Sequence, residues 1–393
     1  MSNPITRLWT AFNPPHVEKR KDVIRFGVLG AAGIAPLTLI IPAKSHPEVF
    51  VQCIAARDRK RAEAFAKTHG IPEVKDSYQE ILDDPTITAI LIPLPNSHHH
   101  EWALRSLAAG KHVLLEKPCV SNHKEALSLF QHPILTPSPS NPTPPVLLEA
   151  FHNTFHPSLS LFLSYISRED IAHVDTASMI PWWLTSKADI HFRYELAGGS
   201  MMAMGVYSFS ALRYVFGASP EECTRCETKS YTDGMHDKCD WQFEAEFTFP
   251  GDRKAVARST LRGPTAWKPK VPDEGLGEGM TKVRSREVTL WGLVHAVVWH
   301  RVDVVDVFEV RGKDGRVVKT WTEKKSEKKY EVRDGEQWMS YRFQLEEFVN
   351  RIKGRETRWW VEGEDSVEHM RMVDMAYVKS GLGVRPSSGF HLE

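Results

Sequence analysis

Cysteine is scarce in this chain: Cys53, Cys119, Cys223, Cys226 and Cys239 are the only five among 393 residues. They are too few and too scattered for a disulfide framework, which agrees with a reducing compartment. Cys223 and Cys226 form a CxxC with His236 and Cys239 beyond it. The second close ligand pair of a zinc site is missing, so these thiols read as packing residues and no metal is expected. Net charge is absent as well, since fifty Lys and Arg balance fifty Asp and Glu. No polyanion-binding surface is indicated, and nucleic acid and membrane surfaces are poor candidate partners. No apolar run reaches the length of a membrane span, and MSNPITRLWTAFNPPHVEKR lacks the apolar core of a secretory signal. A cytoplasmic protein is expected.

Glycine is missing where a dinucleotide fingerprint would want it. Val23 to Leu29 is a short β-rich apolar run that stops at Gly30 in a set of small residues, a strand, tight turn and helix by pattern. The fingerprint asks for glycine at three places, for the turn, for backbone approach to a pyrophosphate and for helix packing on the strand. Those places are Gly30, Ala32 and Ala35, with Gly33 and Ile34 between them. Alone, the motif is equally compatible with plain helix–sheet packing.

What is present resolves into alternating elements. Val49–Ala56 reads as a second strand and DRKRAEAFAKTHGI as the next helix, ended by Gly70. The end of that strand is where an adenosine ribose is read: an acid there favours NAD, an arginine a 2′-phosphate. The sequence offers Arg57, then Asp58, Arg59, Lys60 and Arg61. This favours NADP over NAD, the alternative being an ordinary solvated helix start. SYQEILDD (helix), TAILIPLP (strand), HEWALRSLAAG (helix) and KHVLLEKP (strand) follow. Strict alternation predicts an α/β, doubly wound parallel sheet, and ligands gather outside the carboxyl ends of its strands, where Pro95, Asn96, Glu116 and Lys117 fall. The run His98–His99–His100 suggests a metal only superficially, because adjacent side chains on a helix start diverge.

The segments GVLGAAGIA, IPLPNSHHHEWA, GKHVLLEKP and LLEAFHNTFHP, in this order, resemble the Gfo/Idh/MocA oxidoreductases. Within that family the chain is most similar to the branch of NADP-dependent D-xylose 1-dehydrogenases and dimeric trans-dihydrodiol dehydrogenases. The resemblance runs on through DIHFRYELAGGSMMAMGVYSFSALRYVFG and EDSVEHMRMVDMAYVKSGLGVRP, from Val23 to Pro386. It implies an N-terminal Rossmann domain and a C-terminal α+β domain with a large, mostly antiparallel open sheet. It also implies a small-molecule substrate and a homodimer formed through that sheet. The expected division is an arm over 1–22, a cofactor domain over 23–148 and a substrate and dimerisation domain over 149–393.

Residue by residue, the resemblance implies that Lys117 touches the nicotinamide ribose, that Asn96 and His99 flank the nicotinamide, and that Pro95 and Glu116 belong to the same strand ends. Lys111 and His112 have no such role and are expected at the surface. The proline-rich stretch 131–145 cannot continue a helix and reads as an exposed loop or insertion. Phe151 and Asn153 lie in the segment leading out of the cofactor domain, near the substrate in the family. Close relatives have Tyr-Arg where this chain has Asn153 and Thr154. His152 stands where an apolar residue is more usual, and His156, before a proline, reads as a core histidine satisfied by backbone.

In GGSMMAMGVYSFSALRYVFG, positions 203 and 207 stand one helical turn apart. The family has an aspartate and a tyrosine or histidine there; this chain has Ala203 and Tyr207. Lys117 and Tyr207 are therefore the expected catalytic pair, with the ammonium depressing the phenol's pKa so that it can act as base. Ala203, Trp182 with Trp183, and Met201, Met202 and Met204 suggest a substrate less polar than xylose, the plainer alternative being that these side chains are core or sheet face. The missing aspartate also keeps open a fold reused for elimination, isomerisation or cyclisation, or for regulation without turnover. Beyond Cys223, runs such as QFEAEFTF, AVARSTL and VDVVDVFEV with turns at PGD and GKDG predict antiparallel strands. Lys268–Arg286 reads as a loop, and YRFQLEEFVNRIKG and SVEHMRMVDMAYVKSG as closing helices.

Overall fold

A computed structural model describes residues 9–139, 141–263, 283–293, 299–311, 316–327 and 338–392. The N-terminal part is a parallel six-stranded sheet in the order β3-β2-β1-β4-β5-β6. Its strands are β1 Ile24–Leu29, β2 Val49–Ala55, β3 Glu73–Val74, β4 Ala89–Ile92, β5 His112–Leu115 and β6 Leu147–Glu149. Every residue of β4 is buried, as is expected of a strand covered on both faces by crossover helices. A π-helical turn at Pro36–Ile40 runs into α1 (Ile41–Lys44), and α2 (Arg59–His69), α3 (Tyr78–Asp83), α4 (His99–Ala108) and α5 (His123–Phe130) complete the crossovers.

The helix boundaries follow local chemistry. Asp58 caps α2 by accepting from Arg61 N at 3.2 Å, and Gly70 ends it at φ +71°, where a Cβ would strain the backbone. Ser77 caps α3 and Asn122 caps α5 in the same way.

The C-terminal part is α+β. Strands β7 (His173–Pro181), β8 (Glu222–Ser230), β9 (Asp240–Phe249) and β10 (Arg253–Gly263) form a sheet in the order β7-β10-β9-β8, antiparallel except for the β7–β10 pair. A separate antiparallel sheet holds β11 (Val283–Leu293), β12 (Trp299–Arg311) and β13 (Val317–Glu327). The expected antiparallel pattern is present, divided among the described residues between two sheets. Residues 268–282 and the GKDG turn lie outside the described residues, whereas Val283–Arg286, expected as loop, open β11.

Of the helices here, α6 (Pro157–Ser164) packs on β11 and β12, α7 (Val206–Phe216) on β7 and β10, α8 (Ser340–Ile352) on the turns Pro36–Ile40 and His152–Phe155, and α9 (Gly363–Ser380) on β8 and α5. One apolar core runs from Phe26 and Val28 under the parallel sheet to Phe209, Phe243 and Phe247 between α7 and β9. Within 131–145 a short 3-10 turn at Pro133–Leu135 precedes an exposed stretch, as proline density predicts. Lys111 corrects its expected surface position: it is buried, and its ammonium donates to the carbonyls of Asp84 and Ile87 at 2.8 Å each. A lysine stem can cross apolar surface if its charge meets backbone acceptors, and two carbonyls end just there.

Candidate functional site

Gly30 follows β1 at φ +106°, and a Cβ on it would lie 2.9 Å from Leu94 Cδ2, so both backbone and space require glycine. Its N–H donates to Ala55 O at 2.7 Å, and Arg61 donates to Ala31 O at 3.0 Å, which pins the turn against β2. Ala32 is partly exposed, Gly33 is exposed with open space around it, and Ile34 leans on a small apolar cluster with Tyr341. Ala35, at the third fingerprint place, is fully buried, so a methyl fits where the fingerprint prefers none. Arg57 stands exposed just beyond β2. Asp58 is committed to its cap, and Arg59 pairs with Glu63 and Asp76. Of that basic run, Arg61 is held on Ala31 O as well, and Arg57 and Lys60 are left exposed. These residues fit a dinucleotide: a glycine turn, an open crest and an exposed guanidinium at the second strand's end.

At the carboxyl ends of β4 and β5 the loops brace one another. Pro95 leads into a 3-10 turn whose Asn96 amide donates to Ala197 O at 2.9 Å, joining this loop to the segment before α7. His99 is fully buried, with Nδ1 2.9 Å from Pro118 O and Nε2 2.7 Å from Leu94 O. Burial pushes its imidazole down to about 4. It ties the two strand-end loops together from below. His98 is exposed while His100 is buried against Ser128, so the three histidines diverge as expected. Glu116 is buried, accepts from Thr38 and lies beside the Lys117 N–H, and its carboxyl is raised by burial.

Lys117 and Tyr207 meet. The Lys117 ammonium lies 4.9 Å from the centre of the Tyr207 ring and donates to Ala203 O at 2.7 Å. The reason is local: Met201–Gly205 is a π-helical turn that runs into α7, and such a turn displaces carbonyls from the α-helical ladder. The acceptor that meets the Lys117 ammonium is thus the backbone oxygen of Ala203. Burial lowers the Lys117 pKa, against the nearby charges of Glu116 and Glu149.

The Tyr207 hydroxyl corrects the expected pair. It lies 3.0 Å from His152 Nε2, and the other nitrogen of that ring lies 2.8 Å from Ser340 Oγ. Burial first, and the Glu116 charge second, hold the phenol well above its ordinary pKa. The ammonium faces the ring rather than the oxygen, so the expected depression is not what these surroundings produce. His152 was the residue that pattern reading left aside. Its signal was a polar residue at a place where an apolar one is usual.

The approach to this helix is fixed by a buried network that no motif announced. Asp240 and Arg385 are both 0% exposed and 3.1 Å apart. Asp240 also accepts from Ser200 Oγ at 2.6 Å, Met201 N at 2.9 Å and the Tyr377 hydroxyl at 3.0 Å, while Arg385 Nε donates to Gly198 O at 2.7 Å. Gly199, at φ +130°, threads through it; a Cβ there would come within 2.3 Å of Asp240 Oδ1.

The remaining candidates separate. Phe151 is buried and meets Tyr207 edge to face at 5.9 Å. Asn153 is half-buried, with its Oδ1 buried and unpartnered. Ala203 is buried in the helix. Trp182 is 58% exposed and Trp183 60%, so neither forms a buried wall of the site, and Met201, Met202 and Met204 are core residues, as the plainer reading had them. His156 is buried and accepts from Ser158 N at 3.1 Å, capping α6. Cys223, Cys226 and Cys239 are free, and no group of three His, Cys, Asp or Glu able to hold a metal occurs among the described residues. No described helix is long and apolar enough to cross a membrane.

Comparison with known proteins agrees with this layout. The Gfo/Idh/MocA profile, described as an oxidoreductase family with an NAD-binding Rossmann fold, matches residues 24–133. A D-xylose 1-dehydrogenase (NADP(+)) of Haloferax volcanii is 30% identical over 360 residues, covering 91% of this chain and 98% of that protein. A trans-1,2-dihydrobenzene-1,2-diol dehydrogenase of Sus scrofa is 26% identical over 54% of this chain and 62% of its own length. Among solved structures, a 3-ketoreductase from Actinomadura kijaniata in complex with NADP and TDP-benzene superposes with a TM-score of 0.65. It is 20% identical over 91% of this chain and 98% of that one, a likeness of fold.

Proposed function

The chain belongs to the Gfo/Idh/MocA oxidoreductase family, and from that premise we propose that it is an NADP(H)-dependent dehydrogenase or reductase acting on a CH–OH group. The substrate is a cyclic alcohol, diol, sugar or ketone. The meeting of Lys117 and Tyr207, from the end of β5 and the start of α7, carries the reading. The branch of D-xylose and dihydrodiol dehydrogenases named above belongs to the same proposal, as does the division into a cofactor part over 23–148 and a substrate part over 149–393.

Gly30, Ala32, Gly33 and Ile34 would hold the pyrophosphate, Arg57 the 2′-phosphate, and Pro95, Asn96, Glu116 and Lys117 the nicotinamide end; His99, expected there, is fully buried with both ring nitrogens on backbone carbonyls and braces these loops from behind. Bound NADP(H) supplies hydride acceptance and donation. The chain's part is to move the hydroxyl proton. Tyr207 trades it with the substrate oxygen, while Lys117, held by Ala203 O, keeps a positive charge at the face of that phenol. Ala203 and Phe151 leave fewer polar partners than an aspartate would. A buried sugar hydroxyl without its acceptor costs about 1–3 kcal/mol, which favours a substrate less polar than xylose.

A homodimer through the sheet face turned away from α7 fits the reading. That face carries Asp175, Arg258 and Glu244, paired with one another within the chain.

Absorbance at 340 nm with NADPH or NADP+ against pentoses, trans-dihydrodiols and cyclic ketones is the test. Turnover lost in Tyr207→Phe and Lys117→Met is expected, and a clear preference for pentoses would remove the less-polar-substrate part. Ala203 also motivates a second reading, an elimination, isomerisation or cyclisation; product formation without any change at 340 nm would select it.

A further inference from the structure

The proposed chemistry leaves one proton without an obvious holder. A tyrosine can act as base either by ionising first or by passing its own proton on as it receives another. Ionising first needs positive charge near the phenol oxygen. Here the ammonium of Lys117 is directed at the Ala203 carbonyl and the ring face, and burial with the Glu116 charge favours the neutral phenol. The second route needs an acceptor on the far side of the oxygen.

His152 occupies that place. It opens the 3-10 turn His152–Phe155 just after β6, is fully buried, and lies with Nε2 3.0 Å from the Tyr207 oxygen. Two other rings contact it: Tyr341 lies at 4.0 Å, tilted by 30°, and Tyr207 meets it at a steep angle at 5.6 Å. Ser340, at the start of α8, stands 2.8 Å from Nδ1. Three chain segments far apart in sequence thus build a line from the phenol through an imidazole to a hydroxyl. A neutral phenol has one proton to donate, so the favoured pattern is Tyr207 O–H to Nε2 and Nδ1–H to Ser340 Oγ.

We propose that His152 is the proton-carrying residue behind Tyr207, and that the two work as a relay in which no tyrosinate forms. The inference rests on the oxidoreductase reading above. In oxidation the substrate C–H bond breaks with its electron pair going to the oxidised nicotinamide, which is reduced, and the C–O bond becomes C=O. The substrate O–H proton passes to the Tyr207 oxygen while the Tyr207 proton passes to His152 Nε2. When the product leaves, the imidazolium keeps its Nδ1–H on Ser340 and returns the extra proton from Nε2 to the Tyr207 oxygen as that hydroxyl gives its own proton to water entering the emptied site. Reduction runs the same transfers backwards, with protonated His152 reloading Tyr207 as it protonates the alkoxide. Among the described residues, the titratable groups facing this ring are Tyr207 from α7 and Tyr341 from α8. The Glu116 charge acts on both phenols and Lys117 lies on the Tyr207 face.

Nitrogen-15 spectra of histidine-labelled enzyme, saturated with NADP+, test this without turnover, with His152→Gln identifying the signal. The expected result is the Nδ1–H tautomer, with an Nε2 resonance that moves in Tyr207→Phe. An Nε2–H tautomer, or a signal indifferent to Tyr207→Phe, overturns the proposal. Kinetics on whichever alcohol of the panel is oxidised fastest give the second arm. His152→Gln should lower kcat by about 10²- to 10³-fold, leave the NADP+ KM within about two-fold and abolish the acid limb of the pH profile, and imidazole should restore part of the rate to His152→Gly. A loss of kcat with the limb intact and no rescue would make His152 a packing residue only. Should no compound change the absorbance at 340 nm, the oxidoreductase reading falls, and the spectra still decide the relay.

Discussion

Removing the Asp240 carboxylate offers the sharpest check on how the site is held. In Asp240→Ala the Arg385 guanidinium, 0% exposed, would keep the Nε hydrogen bond to Gly198 O and its contacts with the Tyr377 and Tyr194 rings but no anionic partner, and its Nη1 is already without a hydrogen bond. The hydroxyls of Ser200 and Tyr377 and the N–H of Met201 would lose their shared acceptor at the same time. Breaking a buried ion pair from one side costs about 3–5 kcal/mol, most of it the uncompensated charge left behind. Asp240→Asn keeps the volume and one acceptor oxygen, so about 1.5–3 kcal/mol is expected. Because the cost arises from an orphaned charge, Arg385→Met should harm the Asp240→Ala background far less than it harms the parent, by at least about 2 kcal/mol. Urea unfolding followed by far-UV circular dichroism reads this as a change of midpoint at constant slope. A loss below about 1 kcal/mol in Asp240→Ala, or additivity of the two changes within about 0.5 kcal/mol, would refute the reasoning. The same variant should lower turnover, since Ser200 and Met201 lead directly into the π-turn that presents Ala203 O to Lys117.

Arg57→Ala should raise the NADP+ KM about ten-fold or more while leaving the NAD+ KM nearly unchanged, as loss of a charge-assisted phosphate contact implies; equal rises would remove Arg57 from the phosphate. Gly30→Ala should cost about 1–3 kcal/mol from the φ of +106° alone, with Leu94 in the way as well, and an unaltered thermal midpoint would contradict it. Burial raises the Glu149 carboxyl from 4.5 to about 7, so between those values the folded chain binds the extra proton and stability falls as pH rises, levelling off above about 7. Glu149→Gln removes that group's share of the slope, worth about 3 kcal/mol across the window, and unfolding midpoints between pH 4.5 and 8 that keep their full slope would show the carboxyl to be unshifted.

Much of the architecture could be read from local pattern because each element carries its own signal. The apolar run of Ile24–Leu29, the caps at Asp58 and Ser77 and the left-handed end at Gly70 are short-range effects, fixed within a few residues of chain. Gly30, Arg57, Lys117 and Tyr207 were legible for a related reason: strand ends and helix starts have fixed addresses in a parallel sheet, and the motifs supply the residue types. Expectations failed where the outcome depended on distant partners. Lys111 looks like a surface lysine until the carbonyls of Asp84 and Ile87 are brought to it, and Tyr207 looks like a phenol depressed by Lys117 until burial and the Glu116 charge hold it up.

By itself the sequence determined the alternation of strand and helix, the turn that only Gly30 can make and the set of polar groups available at the strand ends. Tertiary structure alone decided which of them touch. Periodicity says which face of a helix is buried but not what a residue nearly two hundred positions away will place against it, so the contact of His152 with Tyr207 and Ser340 could not be derived from pattern. The pairing of Asp240 with Arg385 is hidden for the same reason, since two charges become an interaction only once folding removes both from water and closes the distance between them.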